Sequence, residues 1–195
     1  MKSYATFLNK IGIEYGDITI DCGANIGHVT NALQAAGALV YAFEPEPNAF
    51  KVLAKRFGDN YTHVTCINAA VMNREGKVKL YLHRHAQQDP VKWSVGASTL
   101  SFKENVDNTT YKYVRAIRLS TFIKDLDTEI RLIKMDIEGM ECAVIHDLID
   151  TRVIHRVKTL LVETHTRIRQ LRPKINKLKK RIEQEKLTNI KLNWV

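Results

Sequence analysis

The segment from Asp17 to Glu44 constrains this chain most, because a glycine-containing turn there joins two short apolar runs. Asp-Ile-Thr-Ile-Asp leads into Cys-Gly-Ala-Asn-Ile-Gly, an amphipathic stretch follows, and Leu-Val-Tyr-Ala-Phe-Glu closes the unit. This order predicts a strand, a turn, a helix and a second strand. Gly23 and Gly27 permit a tight turn and close approach of the backbone to a ligand, and the following helix presents free N–H groups. The layout is that of a nucleotide-type cofactor site.

Two acids indicate which cofactor suits this layout. Glu44 lies 21 residues after Gly23, about where an acid binds the two hydroxyls of a ribose. Asp21 precedes the turn, where a carboxylate would repel a pyrophosphate but would suit a ligand that carries an ammonium and a sulfonium. We therefore expect S-adenosylmethionine rather than NAD.

The composition is that of an ordinary globular protein, with 195 residues, of which 45% are apolar and 26% are charged. We expect a single domain, with an N-terminal helix in 1–16, a cofactor-binding core in 17–165, and a basic helix and final strand in 166–195. The longest apolar run, Ala35–Phe43, is too short to span a bilayer. The N-terminus lacks the apolar core of a signal peptide, and the three cysteines have no metal-binding spacing. These features predict a cytoplasmic protein without a membrane partner.

Strands and helices alternate along the chain, which predicts an α/β fold with a Rossmann-like, doubly wound, mostly parallel sheet. Ligands then bind at the carboxyl ends of the strands. The region 78–119 has a more irregular, strand-like pattern. The predicted strands are 18–21, 39–43, 64–68, 132–135, 159–163 and 190–195. The predicted helices are 3–11, 27–36, one through 50–57, 120–126, one after Gly139 and one in the basic segment.

Polar residues follow two of these strands. Asp136 and Glu138 come after the strand 132–135, and Glu163 and His165 come at the end of the next strand. Because the two strands should be neighbours, we expect these side chains to converge. Together they could deprotonate a hydroxyl or bind a divalent metal, for which Asp136, Glu163 and His165 are the candidate ligands. Alternatively, Glu138 and Glu141 cap the next helix.

Four motifs in order resemble those of the FkbM family over about residues 10–165. They are Asp-Cys-Gly-Ala-Asn-Ile-Gly (21–27), Phe-Glu-Pro-Glu-Pro (43–47), Asn-Ala-Ala-Val (68–71) and Ile-Lys-Met-Asp-Ile-Glu-Gly-Met-Glu (133–141). Members are S-adenosylmethionine-dependent methyltransferases of the class I fold, and many methylate hydroxyl groups of sugars or natural products. The resemblance thus implies the same fold, cofactor and type of reaction here.

The resemblance also implies roles for individual residues. Asp136 and Glu138 would lie beside the transferred methyl group. Apart from the resemblance, Ser98 and Thr99 are polar residues of the irregular middle region, and they could touch the cofactor or the substrate, or simply face solvent. The implied cofactor site comprises Asp21, Gly23, Ala24, Asn25 and Gly27 in the loop, Glu44 and Pro45 at the ribose, Asn68 and Ala69 at the adenine, and Asp136.

Two features depart from the family pattern. Leu119-Ser120 replaces the usual Leu-Asp, which we interpret as one helix cap exchanged for another. After the strand that ends at Glu163, the chain offers one helix and one strand, where the class normally adds an antiparallel pair. We therefore expect a shortened C-terminal edge of the sheet.

The segment 166–186 is strongly basic in a chain whose net charge is +9. Its apolar residues recur at helical spacing, and Pro173 should begin or kink the helix. This pattern predicts a helix that packs on the sheet with a solvated basic face. Binding of an anionic partner, or homodimer formation through the apolar stripe, remains an alternative. The stripe consists of Ile168, Leu171, Ile175, Leu178 and Ile182.

Taken together, these patterns predict an S-adenosylmethionine-dependent O-methyltransferase that acts on a hydroxyl of a sugar, glycan or natural product. Asp136 is the expected general base, with His165 as its partner. An RNA methyltransferase is the enzymatic alternative, since the helix is basic, although no aromatic residues are interleaved with its charges. A non-catalytic cofactor-binding or assembly module is the third hypothesis.

Overall fold

A computed structural model gives the fold and describes residues 11–58 and 63–192. The helix predicted over 3–11 therefore lies almost entirely outside the described residues. The strands are β1 Ile18–Cys22, β2 Leu39–Phe43, β3 Val64–Ile67, β4 Ala70–Met72, β5 Gly76–His83, β6 Val106–Arg118, β7 Leu132–Met135, β8 Leu160–Val162 and β9 Ile190–Leu192. The helices are α1 His28–Ala35, α2 Pro47–Phe57, α3 Leu119–Leu126, α4 Glu141–Asp150 and α5 Arg172–Gln184, with 3₁₀ turns at Lys92–Ser94, Val153–Arg156 and Arg169–Leu171.

The main sheet has six strands in the order β3-β2-β1-β7-β8-β9, and every neighbouring pair is parallel. The predicted parallel sheet is thus confirmed. The chain moves outward from β1 to β3 and later returns to place β7 on the other side of β1. This reversal creates a crevice at the carboxyl ends of β1 and β7, where ligands bind in such sheets.

Helices cover both faces of the main sheet, because successive side chains of a strand point to opposite sides. Ile133 and Met135 of β7 pack with Leu148 of α4 in one core cluster. Leu132 of the same strand packs with Leu33 of α1 in a second cluster. The sheet is therefore doubly wound, as the alternation of elements predicts.

A second sheet of three strands, ordered β4-β6-β5, occupies the irregular middle of the chain. β5 and β6 are antiparallel, and β4 runs parallel to β6. The strand-like pattern of 78–119 is thus confirmed, although the sequence did not reveal β4, whose three residues are too few to show a period.

Ser120 does not cap α3, so that prediction is wrong. The helix begins at Leu119, and Arg118 precedes it without a side-chain cap. The buried Ser120 hydroxyl instead donates to the carboxylate of Asp147 in α4, to which Arg118 Nε also donates at 3.0 Å. A tertiary hydrogen bond between α3 and α4 has taken the place of a local cap.

The basic segment forms α5, with Pro173 in its first turn, so the proline begins the helix rather than kinking it. Leu171, Ile175 and Leu178 are buried in the core, and the apolar stripe is therefore not free to bind another chain. β9 then adds a single parallel strand at the edge of the sheet, beside β8. Among the described residues, none of the helices is long and apolar enough to cross a membrane.

Candidate active site

The glycine loop after β1 approaches the end of β7 closely. Gly23 has a φ of 79°, and a Cβ added to it would lie 1.9 Å from the carbonyl oxygen of Asp136. Gly27 has a φ of 87° and precedes α1, where a Cβ would lie 2.4 Å from the Phe57 ring. Only glycine fits these two places, because a side chain would be strained and would also collide. The loop is thereby held against the residue predicted to be catalytic.

Asp21 is fully buried beneath this loop. It accepts a hydrogen bond from Thr30 Oγ1 at 2.7 Å, and Lys134 Nζ lies 3.4 Å from its Oδ1. Lys134 also donates to the carbonyl of Gly23 at 2.8 Å. Although burial opposes a charge there, the carboxylates of Asp21 and Asp136 raise the pKa of Lys134, so it stays a cation. Asp21 therefore supports the loop from within, and its negative charge is offset by Lys134.

Glu44 is 5% exposed and joins the loop to the end of β2. Its carboxylate accepts the backbone N–H groups of Asn25 and Glu46, each at 2.8 Å. Burial raises the pKa of Glu44 to about 7, against the lowering effect of these two donors. Asn68 Nδ2 donates to the Glu44 carbonyl at 2.8 Å, which ties the end of β3 to the same point. The two predicted cofactor segments therefore meet.

A cavity of about 70 Å³, open to solvent, lies at the carboxyl ends of β1, β2 and β7. Five predicted cofactor residues line it: Gly23, Asn25, Glu44, Pro45 and Asp136. The other predicted residues do not line it: Asp21, Ala24, Gly27, Asn68, Ala69 and Ser98. The predicted catalytic residue Glu138 also lines the cavity.

The segment 94–97 and Thr99 form one wall of the cavity. The sequence pointed to Thr99 but missed the segment 94–97. Asn25 Nδ2 donates to Ser94 Oγ at 2.9 Å, which connects this segment to the glycine loop. Ser98 is buried, donates to the Glu138 carbonyl at 2.7 Å and accepts from the Leu100 N–H. Its hydroxyl thus holds the segment in place. The Gly-Ala-Ser-Thr run at 96–99 was the sequence signal of this wall.

His165 is buried between carboxylates. Its Nε2 lies 2.9 Å from Glu138 Oε2 and 3.7 Å from Asp136 Oδ1. Its Nδ1 lies 3.3 Å from Glu141 Oε1, within ion-pair distance but outside hydrogen-bonding geometry. Burial lowers the pKa of His165, but the contacts with Glu138 and Glu141 outweigh burial and raise it to about 10. His165 is therefore a cation at neutral pH, which does not suit the role of a base predicted for it.

Unlike His165, Asp136 titrates near neutral pH. Burial raises its pKa to about 7, with Glu163 and Glu138 raising it further and Lys134 lowering it. Its Oδ1 is buried and has no hydrogen-bond partner in the part of the chain that the structure describes. The side chain is nevertheless 29% exposed and lines the cavity, so the exposure belongs to the rest of the carboxyl group. A carboxylate that titrates near neutrality and is exposed there can accept a proton from a ligand in the cavity.

Glu138 and Glu141 hold His165 in different ways. Glu138 has a left-handed backbone, with a φ of 59°, and forms an ion pair with Lys103. Burial raises its pKa, but His165 and Lys103 outweigh burial and lower it to about 2. Glu141 is buried at the start of α4 and accepts the N–H groups of Ile137 and Gly139 in the preceding loop. It therefore holds this loop, and the alternative of a helix-capping role is wrong, because α4 has no side-chain cap.

The candidate metal ligands differ from the predicted set. Asp136, Glu141 and His165 present ligand atoms that lie within 4.8 Å of one another, and Glu141 replaces the predicted Glu163. These nitrogen and oxygen donors suit a divalent cation. The cation would have to displace the proton of His165, since a ligating imidazole is neutral.

A parallel sheet with a glycine loop and an acid at its switch point defines an α/β domain of the nucleotide-cofactor-binding class. The family model of the methyltransferase FkbM domain matches residues 21–185. This chain belongs to that family, and it is a methyltransferase domain. Among curated proteins, no sequence matches the chain.

Two solved structures are similar at 12% identity. An rRNA methylase from Streptococcus thermophilus has a TM-score of 0.46 and is matched over 88% of this chain and 75% of its own. Precorrin-6y C5,15-methyltransferase from Geobacter metallireducens GS-15 has a TM-score of 0.48, over 90% of this chain and 70% of its own.

Proposed function

We propose that this protein transfers a methyl group from S-adenosylmethionine to a hydroxyl of a sugar, a glycan or a natural product. The observation that carries the proposal is the Asp136 carboxyl group, whose side chain is 29% exposed in the wall of the cavity. A hydroxyl has a pKa far above 7, near the roughly 15.7 of water, so it must lose its proton as it attacks. An acceptor oxygen that enters the cavity beside Asp136 meets a base suited to that task.

The donor would occupy the cavity beside the glycine loop. Glu44 is proposed to bind the ribose, because each carboxylate oxygen has a second lone pair after accepting its backbone N–H. Pro45 is proposed to lie beside the ribose with Glu44, and the Asn68–Ala69 segment is proposed to border the adenine. Since Lys134 offsets the charge of Asp21, the preference for this donor over NAD is supported by the family match rather than by Asp21.

Bound S-adenosylmethionine would supply an electrophilic methyl group and a neutral thioether leaving group. Asp136 takes the hydroxyl proton as the acceptor oxygen attacks, and becomes a carboxylic acid. Glu138 and His165 stay charged throughout, because their pKa values, about 2 and about 10, lie far from neutrality. His165 is thus a positioning residue that holds the acidic loop.

Turnover tests the proposal and its alternatives together. Radiolabelled methyl transfer should be measured to oligosaccharides, to hydroxylated natural products and to RNA, with and without EDTA. Transfer to a hydroxyl compound that survives EDTA and is lost in Asp136→Asn supports the side-chain base. Transfer to RNA alone would identify the enzymatic alternative. Donor binding without transfer to any of the pools would favour the non-catalytic module, and inhibition by EDTA would favour a metal at Asp136, Glu141 and His165.

A further inference from the structure

The outer face of the small sheet carries only cations and tyrosines. The register of β5 against β6 places three pairs opposite one another: Lys77 with Arg115, Lys79 with Tyr113, and Tyr81 with Tyr111. Residues two apart on a strand share a face, so all six lie on one surface. The residues between them face the core, where they form a buried cluster that includes Val78, Leu80, Val114 and Ala116. We call the six-residue surface the tyrosine–lysine face.

The tyrosine–lysine face and its surroundings carry positive charges that lack ion-pair partners. Lys77 and Arg115 are exposed and stand directly opposite each other, an arrangement that destabilises an antiparallel pair. Arg74, in the turn before β5, lines the same surface groove as Lys77 and Lys79. None of these four cations forms an ion pair with the residues that the structure describes. Such a face is complementary to a polyanion.

The tyrosines add a large exposed aromatic surface. Tyr113 is 65% exposed and Tyr111 is 39% exposed. Their rings meet edge to face, with centroids 5.5 Å apart, and Lys79 Nζ lies 4.1 Å from the centroid of Tyr111. The rings therefore do not form a parallel ladder for successive bases, as single-stranded nucleic acids use. One free ring among cations suits a single sugar ring whose carboxylates contact the neighbouring charges.

The groove along this face adjoins the cofactor cavity. Lys77, Lys79, Tyr81 and Tyr113 line it, and so do Met72, Thr99 and Met140. The last three residues also line the cofactor cavity. The groove thus leads from the tyrosine–lysine face, around the edge strand β5, to the cofactor cavity on the buried side of the sheet.

We propose that the tyrosine–lysine face binds an acidic glycan, a sugar polymer that carries carboxylates, and presents one of its units to the active site. This inference names the class of acceptor for the proposed O-methylation, and it therefore rests on that proposed function. Binding to the face needs no methyl donor, so the two proposals can fail separately.

Fluorescence polarisation with labelled oligogalacturonate tests the face, and the fully methyl-esterified form of the same oligomer is the neutral control. Lys77→Gln/Arg115→Gln is expected to weaken binding about tenfold, the loss of two exposed charge contacts. Tyr113→Ala is expected to weaken it about threefold to tenfold. Matched controls are Lys177→Gln/Lys180→Gln on α5 and Tyr15→Ala, an exposed tyrosine before β1. These should bind as the wild type does.

Three results would overturn the proposal: equal binding of the esterified oligomer, equal losses in the control variants, or tighter binding of poly(U), which would make nucleic acid the occupant. If oligogalacturonate does not bind to the tyrosine–lysine face but a neutral sugar is methylated, the proposed O-methylation is supported and the proposed binding site is not. If oligogalacturonate binds at the face but no hydroxyl compound is ever methylated, the proposed function fails and the binding site remains.

Discussion

At the scale of single residues, the proposed chemistry depends on Asp136. Asp136→Asn is expected to lower kcat by about 10²- to 10⁴-fold, because an amide cannot accept the proton, while the Kd of the donor changes only a few-fold. In the wild type, kcat/KM should rise as the pH increases through about 7, where Asp136 loses its proton. The exposed Asp125→Asn in α3 is the control. Near-full turnover of Asp136→Asn would place the base elsewhere.

His165 is expected to contribute to stability in a pH-dependent way. Its pKa is raised to about 10 in the folded protein from an ordinary 6.5, so its contribution is fully present below about pH 6.5 and is lost as the pH rises towards 10. His165→Gln should lower the free energy of unfolding by about 1–3 kcal/mol at pH 6, and by less at pH 9.5. Urea denaturation at both pH values measures this. The exposed His155→Gln should show no such difference, and an equal loss at both pH values would contradict a charged His165.

At the scale of elements, the glycine loop depends on its contact with β7. Gly23→Ala should destabilise the protein and abolish donor binding, because the added Cβ would lie 1.9 Å from the Asp136 carbonyl oxygen. Gly16→Ala is a matched control, since its φ of 84° is similar but the new Cβ meets nothing within 4 Å. That control should cost about 1 kcal/mol from backbone strain alone. Equal losses in thermal denaturation would show that the close approach does not matter.

The basic helix α5 should be stable without its outer charges. Lys177→Gln/Lys180→Gln is expected to change the free energy of unfolding by less than about 0.5 kcal/mol per site, because both side chains are exposed. Leu178→Ala, on the buried stripe, should cost about 2–5 kcal/mol. Chemical denaturation compares the two variants. A large loss from the lysine changes would mean that the outer face makes contacts of its own.

At the scale of the whole molecule, a ligand that binds only the folded state stabilises it by mass action. S-adenosylmethionine at about 100 times its Kd should add about 2.7 kcal/mol, which raises the Tm by roughly 5–10 °C for a domain of this size. NAD at the same concentration should leave the Tm unchanged. Differential scanning fluorimetry measures both, and a larger shift with NAD would contradict the proposed donor. The Glu44→Ala variant should show a smaller shift with S-adenosylmethionine.

The sequence alone determined the main sheet and most of its helices, because these depend on local patterns. Apolar strands, the glycine turn and the acids at strand ends recur at short spacing, so β1, β2 and β7 could be placed to within a residue or two. The family motifs supported the same arrangement. Convergence of Asp136, Glu138 and His165 also followed from the sequence, because parallel neighbouring strands end at one edge of a sheet.

Only the tertiary structure decided the charges of those residues. The contacts with Glu138 and Glu141 make His165 a cation despite its burial, whereas burial raises the pKa of Asp136 to about 7. Lys134, from a neighbouring strand, offsets Asp21. Likewise, the tyrosine–lysine face exists only because the register of β5 and β6 brings distant residues to one surface. Electrostatic environments and strand registers depend on contacts between segments far apart in the chain, and local sequence patterns do not contain them.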